Sequence, residues 1–178
     1  MQLEMLCSVV EAKSALVWGR NKEKVRRMVS ELGSSDALLV AGMEVRAVES
    51  VEELADRSRL IVTATSAHEP VLRADQVQPG THITAMGSDD DGKQELGVDL
   101  LGQADRIIAD SVSQCRQYGE CVHAINAGVI SLDDIAELGA VVSGSTDGRT
   151  SDDQITIADL TGVAVQDIQI AKMIARAR

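Results

Sequence analysis

The sequence predicts an α/β chain built on a doubly wound, mostly parallel sheet. Three observations carry that expectation. From residue 14 to 111, short apolar runs alternate with segments of helical period, the pattern of parallel strands joined by helical crossovers. Runs such as "ALVWG" and "LIV" are continuously apolar rather than alternating, as in strands covered on both faces. With one Trp, one Tyr and no Phe, the interior must be built from Val, Ile, Leu, Ala and Met, which suits buried parallel strands.

In order, "MQLEMLCSVVEA" (1–12) places Leu3, Leu6 and Val10, with Met5 and Val9, at helical spacing, yet no cap or entry turn precedes it. Residues 14–19 read as a buried strand and 21–33 as a helix. Asn21 is its N-cap, Glu23 suits the first turn, and Gly33 closes it. Residues 43–50 alternate like a strand, 51–57 form a short helix, and 59–66 form a second buried strand. Residues 72–77 read as helical; "PG" turns the chain into a strand at 81–87. A helix at 98–104 and a strand at 106–111 complete the alternation. Helical patterns then cover 112–128 and 131–144, and a Gly/Ser/Thr/Asp-rich loop covers 143–153. A strand at 154–160 and a helix at 163–178 end the chain.

The charge balance is acidic, 28 acids against 17 bases, a net −11. Such a surface repels phosphate backbones, and base-stacking aromatics are nearly absent, so no nucleic-acid partner is expected. Cys7, Cys115 and Cys121 are odd in number and lack metal-ligand spacing. They read as reduced thiols of a cytoplasmic protein, and no metal site is expected from them. No apolar run approaches the roughly 20 residues of a membrane helix, so no membrane partner is expected. The opening stretch carries Glu4 and no basic segment, unlike a secretory signal.

Ligands of open parallel sheets sit outside the carboxyl ends of the strands. That rule selects residues 19–21, 63–66, 86–93, 111–113 and 160–162. The third of these belongs to "HITAMGSDDDGKQEL" (82–96), where a buried-strand pattern runs into Asp89, Asp90 and Asp91. A run of three acids is ordinarily a solvated turn. A calcium loop fails on spacing, with Gly87 at the first ligand position and Val98 where the bidentate Glu belongs. The remaining reading turns one acid into the crevice, to bind a substrate ammonium or move a proton. Arg20 and Asn21 follow the first strand, with no acid before Glu23. An arginine there suits the 2′-phosphate of NADP, and equally a surface turn. His82, inside a strand, reads as a packed residue. His123 has no nameable partner. The fingerprint G-x-G-x-x-G is absent.

Several stretches, taken together, resemble one family: "VWGRN", "VTATSAHEPVL", "PGTHITAMGSDDDGKQEL", "IADSVSQCRQYGE", "AELGAVVSG" and "GRTSDDQITIADLTGVAVQD". In this order and spacing the chain resembles the ornithine cyclodeaminase/mu-crystallin family over essentially its whole length. The block P-G-x-H-I-x-A-x-G-S-D…G-K-x-E-L is the most specific part. "SQCRQYGE…HAINAG" is closest to the ectoine-utilisation and imine-reductase branches. The resemblance implies a Rossmann-like domain binding NADP or NAD, with Arg20 favouring NADP, and hydride exchange at a C=N or C–N bond of a small imino or amino acid. It matches Asp89 to the acid that contacts the substrate amine and serves in proton transfer. Lys93 and Met86 match cofactor-contacting positions in the same loop. Thr63, Ala64 and Thr65 match the strand end lining the dinucleotide, and Leu160 and Thr161 the stretch beside the nicotinamide and substrate. Arg20 and Asn21 fall at the adenosine end.

By the same resemblance, a substrate domain, the first strand and the Gly-rich turn come before a helix like "MQLEMLCSVV". The expectation is therefore an N-terminally truncated chain. Residues 1–160 would form a partial NAD(P)-binding domain lacking its first strand and Gly-rich turn. Residues 161–178 would form a helix that returns to the missing substrate domain. Alone, such a chain is expected to be inactive, with a homodimer only in the intact architecture. The alternatives are a non-catalytic binding protein and an inactive remnant of the family.

Overall fold

The computed structural model describes residues 2–7, 9–88, 90 and 92–176. The chain divides into two compact units, residues 1–58 and 59–178. No helix among the described residues is long and apolar enough to cross a membrane.

In the first unit, helix α1 (Gln2–Leu6) precedes strand β1 (Ser14–Val17), helices α2 (Lys22–Leu32) and α3 (Asp36–Ala41), strand β2 (Glu44–Ala47) and helix α4 (Val51–Arg57). β1 and β2 pair in parallel, Ser14 opposite Glu44 through Val17 opposite Ala47. Val25, Leu38, Met43, Val48 and Ala55 are the buried apolar side chains. Asn21 caps α2 as expected, its Oδ1 accepting the Lys24 N–H at 3.0 Å. Ser50 caps α4 in the same way, through the Glu53 N–H. Two readings change. The opening helix stops at Leu6 rather than running to residue 12. Helix α3, unforeseen, ends on Gly42, whose φ of 65° favours glycine.

The second unit is a five-stranded parallel sheet in the order β3 (Leu60–Thr63), β5 (His82–Ala85), β9 (Thr156–Asp159), β7 (Arg106–Ala109), β8 (Ile135–Glu137). β4 (His68–Leu72) and β6 (Gln94–Leu96) form a separate parallel pair. α5 (Val98–Gln103), α6 (Cys121–Asn126), α7 (Leu138–Val142) and α8 (Ala164–Arg176) are the helices. The register aligns one isoleucine from each strand: Ile61, Ile83, Ile157, Ile107 and Ile135 stand side by side. All five are buried, with Leu72, Leu96, Leu100 and Leu101, and together they form the core.

Three readings change here as well. Residues 72–77 are not helical; β4 ends at Leu72 and a single 3-10 turn covers Ala74–Gln76. Pro70 within β4 is tolerated because that two-stranded pair has open edges. The helix expected over 112–128 is broken: a 3-10 turn at Gln114–Arg116 is followed by irregular chain to Cys121. Gly119 makes the break, with φ of 88° and Asp159 so near that a Cβ would lie 2.6 Å from Oδ2. The 131–144 segment gives up residues 135–137 to β8, because pairing with β7 outweighs a helical period over so short a run.

His82 is half-buried, its Nδ1 2.7 Å from Thr156 Oγ1. Burial, with Arg149 adding to it, holds its pKa below the usual 6.5. The unfolded chain therefore takes up this proton first, and the contribution to stability is complete above 6.5 and lost as the pH falls below it. The loss in melting temperature on acidification through that value should be smaller in His82→Gln than in the wild type. Parallel pH–melting curves would count against this linkage.

Candidate active site

The strands end in register. Thr63, Ala85, Asp159 and Ala109 are neighbours across the sheet, so the segments that follow them emerge side by side. Three buried carboxylates organise these exits. Glu95 reaches back from β6. Its Oε1 accepts the Thr65 N–H at 2.5 Å and its Oε2 the Gly87 N–H at 2.9 Å, which ties the exit of β3 to that of β5. The approach is closest at Gly87. A Cβ there would overlap the Thr65 carbonyl oxygen and stand 2.5 Å from the Glu95 carboxylate.

Glu120 is equally buried and holds Glu95 in turn. It accepts the Glu95 N–H at 2.9 and 3.1 Å, the Leu96 N–H at 2.8 Å, and the Ser88 hydroxyl. Burial raises its pKa to about 7, against the pull of these donors. Asp159, at the end of β9, accepts the Cys121 N–H at 2.9 Å, and burial pushes its pKa up. Cys115 Sγ lies 3.8 Å from Asp159 Oδ2. The Cys121 thiol is pushed up by its contact with Cys115, then by burial and by the Asp159 carboxylate. Asp110, just past β7, accepts the Thr161 N–H and hydroxyl at 3.3 and 3.0 Å and the Gly162 N–H at 2.7 Å, fixing the turn toward α8.

The β5–β6 loop is also anchored at its far end. His68 Nδ1 donates to the Gly92 carbonyl at 3.0 Å, His123 Nε2 to the Lys93 carbonyl at 2.7 Å, and the Gln94 N–H to the Ala67 carbonyl at 2.8 Å. His123 thus has a partner that its sequence context did not name. Both flanks of the acidic stretch are fixed, at 87–88 and at 92–94. Asp89 and Asp91 themselves lie outside the described residues.

Thr63, Ala64, Thr65, Met86, Leu160 and Thr161 lie at the adjoining exits of β3, β5 and β9. Lys93 is half-buried at the anchored end of the loop. Arg20 and Asn21 belong to the first unit; Arg20 is exposed, and the Asn21 side chain is engaged in capping. Reasoning from the sequence missed Glu95, Glu120 and Asp159. Asp159 was accessible, since it follows the core residue Ile157 by two and so shares its strand face. Glu120 carried no such signal, because its segment reads as one helix and the break at Gly119 that frees it exists only in the fold.

The model of the ornithine cyclodeaminase/mu-crystallin family matches residues 1–177. The chain belongs to that family. The iminosuccinate reductase of Paracoccus denitrificans is 38% identical over 97% of this chain and 51% of its own length. The crystal structure of that reductase in complex with NAD+ matches with a TM-score of 0.86 and 39% identity, over 98% of this chain and 52% of that one. An archaeal alanine dehydrogenase dimer with bound NAD matches with a TM-score of 0.86 and 37% identity, over 96% and 51%. This family member thus spans about half the length of the curated relatives it matches. Its second unit carries the parallel, Rossmann-like sheet of these NAD-bound neighbours.

Proposed function

We propose that the chain supplies the nicotinamide-binding part of an NAD(P)-dependent oxidoreductase acting at the C=N or C–N bond of a small imino or amino acid, as an imine reductase or cyclodeaminase-like enzyme. The observation that carries this reading is the double anchoring of the 86–93 loop by buried carboxylates and histidines, beside the aligned exits of β3, β5 and β9. Loops held this way can present one side chain repeatedly in the same place. A solved relative from Thermococcus litoralis is described as a Δ1-pyrroline-2-carboxylate reductase in complex with NADH and L-proline, which supports the substrate class.

The residues present fit the nicotinamide end of a dinucleotide. Thr63 Oγ1, at the exit of β3, is buried without a hydrogen-bond partner, and the aligned row of Thr63, Ala85 and Ala109 is small. They do not supply a pyrophosphate cradle, since the chain has no G-x-G-x-x-G. The bound dinucleotide would supply hydride chemistry. Thr63, Ala64, Thr65, Met86, Lys93, Leu160 and Thr161 would hold its nicotinamide end. Asp89 would pair with the substrate ammonium and carry its proton. Arg20, with Asn21, favours NADP over NAD. On α8, Ile168, Ile170, Met173 and Ile174 are each more than half exposed, which supports a helix that covers an N-terminal substrate domain. Residues 1–160 would then be the partial dinucleotide-binding domain, and a homodimer would belong to the longer architecture. The three free thiols suit a reducing, cytoplasmic compartment.

Titration of the chain with NADPH and with NADH, followed by nucleotide fluorescence, tests cofactor binding. Saturable enhancement, stronger with NADPH, is expected; no response to either would leave an inert family remnant. Fused behind the N-terminal half of the Paracoccus reductase, the chain should support turnover. Asp89→Asn in that fusion should lower turnover about a hundredfold with cofactor affinity unchanged. Equal turnover would reject the role given to Asp89.

A further inference from the structure

We infer that Cys115, Cys121 and Asp159 form a binding site for a thiophilic divalent cation, zinc by its ligand chemistry, that staples the 115–121 segment to the end of β9. This goes beyond the proposed activity and does not depend on it. The three residues come from separate elements, a 3-10 turn, the first position of α6 and the last position of β9, and all are buried. Their ligand atoms all lie within 4.8 Å of one another.

One separation already matches a shared ion, and the others lie within 4.8 Å. Zinc–sulfur bonds of about 2.3 Å and zinc–oxygen bonds of about 2.0–2.2 Å in a tetrahedron place neighbouring donors about 3.5–3.8 Å apart. Cys115 Sγ and Asp159 Oδ2 are 3.8 Å apart, a thiol hydrogen bond in the metal-free chain and close to that tetrahedral edge. Charge points the same way. The partners of the buried Asp159 carboxylate are backbone N–H groups of Cys121 and Glu120 and the thiols, with no lysine or arginine among them. A buried carboxylate without a cation is costly, and a divalent ion supplies the charge. On binding, the ion forms two metal–sulfur bonds and one metal–oxygen bond. The two thiols release their protons to solvent, with no change of oxidation state. Three protein ligands leave one tetrahedral position. The spacing Cys-x5-Cys with an aspartate 38 residues beyond is invisible to sequence motifs and exists only in the fold.

The test is to produce the chain with zinc supplied, desalt it, and measure bound metal by mass spectrometry; one ion per chain is expected. Exchange for cobalt(II) should give thiolate-to-cobalt charge-transfer absorption and the visible bands of a tetrahedral site. Both should vanish in Cys115→Ser and Cys121→Ser and persist in Cys7→Ser. Because the cobalt spectrum of the wild type itself reports thiolate ligation, the test stands even if a serine variant fails to fold. A folded wild-type chain that holds no stoichiometric zinc and gives no thiolate–cobalt band overturns the proposal, as does a band that survives in Cys121→Ser.

Discussion

Glu120→Ala is expected to destabilise the second unit by about 4 kcal/mol. The carboxylate satisfies the N–H groups of Glu95 and Leu96 and the hydroxyl of Ser88, all buried. Each orphaned donor costs about 1–3 kcal/mol, and removing a desolvated acid returns part of the sum. Urea unfolding at neutral pH gives the number. Amide exchange gives the location, with Glu95 and Leu96 losing protection while β1 and β2 keep theirs. A loss below about 1 kcal/mol would mean that Glu120 does not hold these groups. Glu120→Gln should be milder but still destabilising, because its amide NH2 faces backbone donors. Ser88 immediately precedes Asp89, so the alanine variant should also depress turnover in the fusion by letting the loop drift.

Gly87→Ala should cost about 3 kcal/mol. The added methyl overlaps the Thr65 carbonyl oxygen and meets the Glu95 carboxylate at 2.5 Å, and neither neighbour yields easily. The first is backbone at the exit of β3. The second is buried and already accepts two N–H groups. Relief therefore requires parting the exits of β3 and β5. The Thr65 amide, protected by Glu95 in the wild type, should exchange rapidly in the variant. A stable variant with Thr65 still protected would show that the loop absorbs a methyl without moving, and the tight approach would lose its meaning.

What was legible in the sequence followed from period and punctuation. The alternation from 14 to 111 identified β1, β2, β3, β5 and β7 and the helices α2, α4 and α5, because each has an uninterrupted pattern and a recognisable start or stop. The three-residue strands β6 and β8 were missed, since so short a run carries no period of its own and is decided by its partner. The 112–128 segment misled because its apolar spacing is helical, while Gly119 is held out of the helix by Asp159, a constraint 40 residues away in the chain. At the site, the loops were located by the strand-end rule, and Asp89 came from the family resemblance alone. Glu95 and Glu120 were overlooked because single buried carboxylates look, in a chain with 28 acids, like any others; Asp159 alone carried a strand-face signal.

Among the described strands of the five-stranded sheet, the last in chain order is the middle one. β9 lies between β5 and β7, and its Thr156 stands opposite His82, 74 residues earlier. Until residues 156–159 leave the ribosome, the pairs β3–β5 and β7–β8 have no strand to join them, and Ile83 and Ile107 each border an unfilled gap. At about 5–20 residues per second that interval lasts several seconds, long enough for chaperones or proteases to act on the nascent chain. Joining the two halves of the sheet therefore waits on four residues, 156–159. A nascent chain released before them would expose two half-sheets with matching apolar edges, a ready route to pairing between molecules.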